Sequence, residues 1–217
     1  MPSFAVIGMS SFGYFIAKAL SQKGFDVIAI DDDEAKIDRV KPFVRKAIIA
    51  DATDKEALQN MGLHDVDTVV VSLGEQMEAS ILATLHLKEL GVKNIVVKAQ
   101  SEDHGKVLDK IGATTVTFPE KDIAERLALT LSSENVLDHI PLAPGYSILE
   151  LAPPASFNGQ TLGELDLRKQ YFVQVIAIRS IVPEEVIMVP PATYRIKDSD
   201  VLIVLGREED LQRVRNL

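Results

Sequence analysis

Six short apolar, β-branched runs, "FAVI", "DVIAI", "KAIIA", "TVVVSL", "NIVVKA" and "TTVTF", alternate strictly with segments of helical periodicity across residues 1–118. The helical patterns cover residues 12–23, 34–40, 55–61, 75–90 and 102–111. Strands that are apolar throughout are buried on both faces, and the intervening helices supply the cover. Gly24, Gly62, Gly91 and Gly112 each follow a helical stretch, where a glycine adopts the left-handed conformation at little cost. The alternation predicts an α/β fold, a Rossmann-like doubly wound parallel sheet complete within residues 1–118.

From Pro119 the pattern changes. "PEKDIAERLALTLSSENVLDHI" places proline in a first turn, acids behind it, and an apolar stripe through Ile123, Leu127 and Leu131. This predicts a crossover helix and hinge over 119–140 with no parallel strand after it. Residues 141–217 are β-rich, with strand patterns at 146–151, 173–179, 186–189 and 201–205 and short helices at 162–169 and 208–214. They predict a second, smaller α+β domain. A core that small is marginal alone and commonly relies on dimerisation, which makes the helix between the domains a candidate for exchange between subunits.

Composition narrows the function. The chain of 217 residues is 47% hydrophobic and carries a formal charge of −9, so it offers no basic surface to neutralise a run of phosphates in a nucleic acid. No apolar stretch reaches the roughly 20 residues that span a bilayer, and the N-terminus enters a strand at once, without a signal peptide. There is no cysteine, hence no disulfide framework and no thiolate chemistry. The expectation is a cytoplasmic protein with no direct membrane insertion.

The first turn resembles a dinucleotide fingerprint with one place altered. In G-x-G-x-x-G the first glycine makes the turn, the second admits the phosphates, and the third lets helix and strand pack closely. Gly8 and Gly13 hold the first and third places, and Ser10 stands in the second. Serine is the smallest substitute that keeps some room, and its hydroxyl can donate to a phosphate. The helix that follows presents free N–H groups and a favourable dipole to an anion. Asp31 ends the second strand, 23 residues after Gly8, at the spacing of a carboxylate that accepts both ribose hydroxyls. The bland alternative is a sheet with tight turns and no ligand.

Catalytic machinery is missing from the pattern. A dehydrogenase places a proton donor or acceptor beside the nicotinamide. Of the four histidines, His64 follows a helix-ending glycine, His86 lies within a helix, His104 sits near a helix start in "SEDHGK", and His139 is near the hinge. None pairs with a visible acid, and neither G-x-S-x-G nor H-x-x-x-H occurs. The nucleotide therefore reads as a signal and the chain as no enzyme. The rival is an NAD(P)-dependent oxidoreductase or redox sensor of Rossmann type.

The stretch "GEQMEASILATLHLKELGVKNIVVKAQSEDHGKVLDKIGA", followed by "PEKDIA", resembles the cytosolic regulatory subunits of Ktr/Trk potassium-uptake systems. So do "ADATD", "LGELDLRKQYFVQVIAI" and "DSDVLIVLGREEDL", and the resemblance covers essentially the whole chain. Such proteins consist of a nucleotide-binding RCK (TrkA-N) domain and a TrkA-C domain. The resemblance implies that Gly8, Ser10, Ser11, Phe12 and Gly13 hold the phosphates of ATP or ADP, and that Asp31 and Asp32 hold the ribose. It sets Lys36 near the nucleotide, Asp51, Ala52 and Thr53 around the adenine, and Ser72, Leu73 and Gly74 as the floor. Lys98 ends the fifth strand on the same edge, and Glu120 is implied near the γ-phosphate through Mg2+ or another divalent cation. Each has a plainer reading too: Lys36 as a solvated helix lysine, Thr53 or Asp54 as a helix cap, and Glu120 as an acid complementing a helix dipole.

One departure stands out. Relatives read G-x-G-R-F-G, and here Ser11 replaces an arginine expected to reach phosphate across a subunit interface. Loss of such a charge-assisted contact costs about 1.5–3 kcal/mol, or one to two decades of affinity. That widens the expected ligands to ADP, AMP and NAD(H). The resemblance further implies homodimers joined into a homo-octameric ring beneath a membrane-embedded potassium transporter or channel subunit (KtrB- or TrkH-like). In some relatives cyclic di-AMP binds the TrkA-C dimer interface, here around Leu165 to Ile178 and Pro190.

Overall fold

In the computed structural model, residues 2–132 and 135–217 are described, and the chain divides into two units, Met1–Pro119 and Glu120–Leu217. The first unit holds strands β1 (Ser3–Ile7), β2 (Asp26–Asp31), β3 (Lys46–Ile49), β4 (Thr68–Val71), β5 (Asn94–Lys98) and β6 (Thr115–Thr117). They form one parallel sheet in the order β3-β2-β1-β4-β5-β6. Helices α1 (Ser11–Gln22), α2 (Glu34–Val40), α3 (Lys55–Asn60), α4 (Met77–Glu89) and α5 (Glu102–Ile111) connect them.

Alternate side chains of each strand point to opposite faces. Ala5, Ile7, Ile30, Val69, Val71, Ile95 and Val97 therefore pack with Leu58, Leu63, Leu87 and Leu108 on one side. Val6, Val27, Ala29 and Val70 pack with Ala17, Ile37 and Val40 on the other. The strand order reverses between β1 and β4, so the connections leave in opposite directions and open a crevice at the carboxyl edge. Gly24, Gly62, Gly91 and Gly112 all have positive φ, as their positions after helices predict. Helix α4 starts two residues later than its periodicity suggests, because Gly74 with φ 62° begins a turn that carries the chain through Glu75 and Gln76 first.

The second unit contains α6 (Pro119–Leu131, from Glu120 on), β7 (Val136–Ala143), β8 (Tyr146–Leu151), β9 (Gln174–Ser180), β10 (Glu185–Met188) and β11 (Asp200–Arg207). Its sheet is antiparallel, in the order β10-β9-β11-β8-β7. Leu151, Phe157, Ile178, Ile196, Leu202 and Leu211 form the core beneath it.

Strand β7 is a correction to the helix-and-hinge reading of 119–140. Residues from Val136 onward belong to a hairpin with β8 that turns at Gly145, φ 77°. Asp138, His139 and Pro141 break the apolar alternation that would mark a strand. An edge strand tolerates proline, and the register shifts around these residues. Residues 133 and 134 of that hinge lie outside the described residues. The expected helix at 162–169 is two short helices, α7 (Leu162–Leu165) and α8 (Leu167–Gln170), divided where Asp166 adopts φ 39°. The chain closes with α9 (Glu208–Arg215). Among the described residues no helix is long and apolar enough to cross a membrane.

Candidate functional site

The turn between β1 and α1 is set by close approach. The Gly8 N–H donates to the Ile30 carbonyl at 2.7 Å, and Gly8 takes φ 89°. A Cβ on Gly8 would lie 2.3 Å from the Ser72 carbonyl oxygen, and one on Gly13 would lie 1.9 Å from the Gly8 carbonyl oxygen. Both glycines are thus required by the protein itself, with or without a ligand. Ser10 caps α1: its Oγ accepts from the Gly13 N–H at 3.4 Å and shares a 2.6 Å hydrogen bond with Oγ of the buried Ser72. The middle fingerprint position is closed by a hydroxyl pair where a second glycine would leave space. The first-turn N–H groups of Ser11 and Phe12 have no intrahelical partner.

Asp31 is 5% exposed at the carboxyl end of β2. Its Oδ2 accepts from the Met9 N–H at 2.6 Å, and its Oδ1 accepts from the Asp33 N–H at 2.9 Å and from Lys36 Nζ at 3.2 Å. Burial pushes the carboxyl up, but the bonds from Met9 and Asp33 and the Lys36 ammonium outweigh it and hold the group below the ordinary 3.8. A depressed folded-state value stabilises the fold above the unfolded value and is lost as pH falls through the folded one. The stability advantage of the native chain over Asp31→Asn is therefore expected to be constant at neutral pH and to shrink below about pH 3.8, as thermal melts across pH would record.

A cavity of about 170 Å3 opens at the same edge. It brings together Asp31, Asp32, Asp51, Ala52, Thr53 and Leu73, all expected from the sequence, and adds Ile7, Ala50, Gln76 and Ala79, which were not. Gln76 and Ala79 stand where the Gly74 turn enters α4, a place that spacing from the turn could have flagged. Asp51 is tied locally, its Oδ1 accepting from the Thr53 N–H at 2.8 Å and Thr53 Oγ1 at 2.7 Å, which holds its carboxyl below the usual range. Asp54 supplies the α3 cap. Beyond Gly74 the space is open, and its carbonyl accepts from the Gln100 side chain.

An apolar floor of Ile7, Ala50, Ala52 and Leu73 with a carboxylate rim suits a flat base and a hydroxyl-rich sugar. The residues present fit a nucleoside. Lys98 lies at the end of β5 on the same carboxyl edge. Glu120 stands exposed in the first turn of α6, in the second unit. No group of three or more potential metal ligands occurs among the described residues.

The histidines fall elsewhere. His104 is on the buried face of α5, where burial lowers its pKa and its Nδ1 accepts from the Gln100 N–H at 3.4 Å; it does not line the cavity. His139 Nε2 lies 3.1 Å from Glu208 Oε1, a His–acid pair that a separation of 69 residues conceals in the sequence. A larger cavity, about 960 Å3, is in the second unit between Leu142, Tyr146, Phe172 and Arg207. Leu142 is 59% and Phe172 68% exposed, so this is an open apolar trough, while the smaller cavity has the sheet-edge position and the buried carboxylate.

Residues 4–119 match the TrkA-N domain family and residues 146–217 match the TrkA-C domain family. The chain is 45% identical over 210 residues to Ktr system potassium uptake protein C of Bacillus subtilis, covering 97% of this chain and 94% of that protein. It is 38% identical over 213 residues to Ktr system potassium uptake protein A of the same organism, covering 98% and 95%. Among solved structures, the GsuK RCK domain has the same fold, with a TM-score of 0.69 at 18% identity. That match covers 100% of this chain and 47% of the other, so the chain spans about half of that protein.

Proposed function

This chain belongs to the Ktr family of potassium-uptake proteins, built from a TrkA-N and a TrkA-C domain, and from that premise we propose that its first domain is a nucleotide sensor gating potassium entry. It is a regulatory subunit of a potassium transport system, a reading its likeness to Ktr system potassium uptake proteins C and A supports. The observation that carries the sensor reading is the convergence of Asp31, Asp51, Ala52, Thr53 and Leu73 on one cavity beside the N-terminus of α1.

In this reading the base rests on the apolar floor and the ribose on Asp31, with Asp32 at the rim. The phosphates meet the first-turn N–H groups of Ser11 and Phe12 and the Ser10 hydroxyl, while Gly8 and Gly13 hold the turn and Ser72 supports it. Gly74 leaves the entrance clear, and Lys36 and Lys98 supply positive charge at the same edge. ATP or ADP is the primary ligand, with AMP and NAD(H) accommodated because Ser11 brings no charge to discriminate the terminal phosphate. Glu120 is assigned to Mg2+ or another divalent cation, and the nucleotide is a signal with no chemistry done on it.

The chain acts at the cytoplasmic face of the membrane as homodimers in a homo-octameric ring, beneath a membrane-embedded potassium transporter subunit. A nucleotide gates that ring only if it binds the open and closed shapes unequally. Cyclic di-AMP is assigned to the second domain, where Arg168 and Lys169 line a cavity of about 370 Å3 reaching Pro190.

A thermal-shift series with ATP, ADP, AMP, NAD+ and NADH tests the sensor. Ligand at about 100 times its dissociation constant adds roughly 2.7 kcal/mol, a rise of about 5–10 °C for a chain of this size. A rise with ADP or ATP that Asp31→Asn removes is expected. A rise with NADH alone would favour a redox sensor, and no rise with any of them would overturn the assignment.

A further inference from the structure

We infer that Lys36 competes with the ribose for Asp31 and so sets how strongly the site prefers ribonucleotides, an inference that rests on the nucleotide reading above. An ionised carboxylate offers about four lone-pair directions. On Asp31 three are taken, by the Met9 N–H at 2.6 Å, the Asp33 N–H at 2.9 Å and Lys36 Nζ at 3.2 Å. A ribose diol that donates both hydroxyls needs two, and one remains.

The two backbone donors cannot leave. Met9 follows Gly8, whose N–H is fixed to the Ile30 carbonyl, and Asp33 is the N-cap of α2. Lys36 can. Its side chain is 45% exposed on a flexible stem, and Asp33 Oδ2, at 4.0 Å from the ammonium, offers a second resting place. Two-point recognition of a ribose therefore requires the ammonium to move off Asp31, whereas a sugar with a single hydroxyl fits the direction already open. The half-exposed ammonium regains water as it leaves and a ribose hydroxyl takes over its hydrogen bond to Asp31, so the exchange changes affinity only modestly.

The test is a calorimetric titration of ADP and 2′-deoxy-ADP into the full chain and its Lys36→Met and Lys36→Arg variants, with melts to confirm folding. Lys36→Met is expected to widen the ratio of the two dissociation constants about two- to fivefold in favour of ADP, and Lys36→Arg to leave it near the native value. Any general attraction of Lys36 for phosphates acts on both nucleotides and cancels in the ratio. An unchanged ratio, whether both nucleotides weaken together or neither changes, overturns the competitor role and leaves the sensor standing. Binding of neither nucleotide by any of the three proteins overturns the sensor and this inference with it.

Discussion

Gly13→Ala is expected to unfold the first domain or to leave it barely stable. The added methyl would stand 1.9 Å from the Gly8 carbonyl oxygen, a backbone atom that no rotamer change can move. Overpacking a well-filled interior costs typically 1–3 kcal/mol, and more where the obstacle is main chain. Relief requires α1 to lift away from β1, which would also break the Ser10–Ser72 bond. A loss of roughly 3 kcal/mol or more is a large share of the 5–15 kcal/mol that holds a domain folded. Gly24→Ala supplies the internal standard. Gly24 has φ 84° but nothing within 4 Å of its Cβ position, so only backbone strain applies, about 1–2 kcal/mol. Urea midpoints of the two variants should differ clearly, with Gly13→Ala the lower.

Asp31→Ala is expected to act twice. It removes the proposed ribose acceptor, and it leaves the N–H groups of Met9 and Asp33 without the carboxylate that receives them. A buried donor left unsatisfied costs about 1–3 kcal/mol, so the variant should melt several degrees below the native chain before any nucleotide is added. Asp31→Asn keeps one acceptor oxygen and should fall between the two. Only the response to nucleotide measured on a folded variant reports on binding, and a native melting temperature for Asp31→Ala would show that the carboxylate is not placed as described.

Much of the first domain could be read from its residues because parallel strands buried on both faces leave uninterrupted apolar runs. Gly8, Gly13 and Asp31 were visible through spacing alone. What these residues do to one another was not. Ser10 reads as a phosphate donor, but no spacing shows that its hydroxyl also caps α1 and bonds Ser72, 62 positions away, a contact made only when β4 lies beside β1. The filling of Asp31 depends on the backbone directions of Met9 and Asp33, which periodicity does not encode. In the second domain, β7 escaped because Asp138, His139 and Pro141 blur the alternation. Its Asp138 answers to a contact with Arg126 on α6, and its His139 to Glu208 at the start of α9.

Rubidium flux through proteoliposomes holding a Ktr membrane subunit and this chain is the most direct test of nucleotide gating. Flux is expected to differ between ATP, ADP and no nucleotide, and to become indifferent to nucleotide in folded Asp31→Asn. Equal flux under all three conditions with the native chain would contradict it.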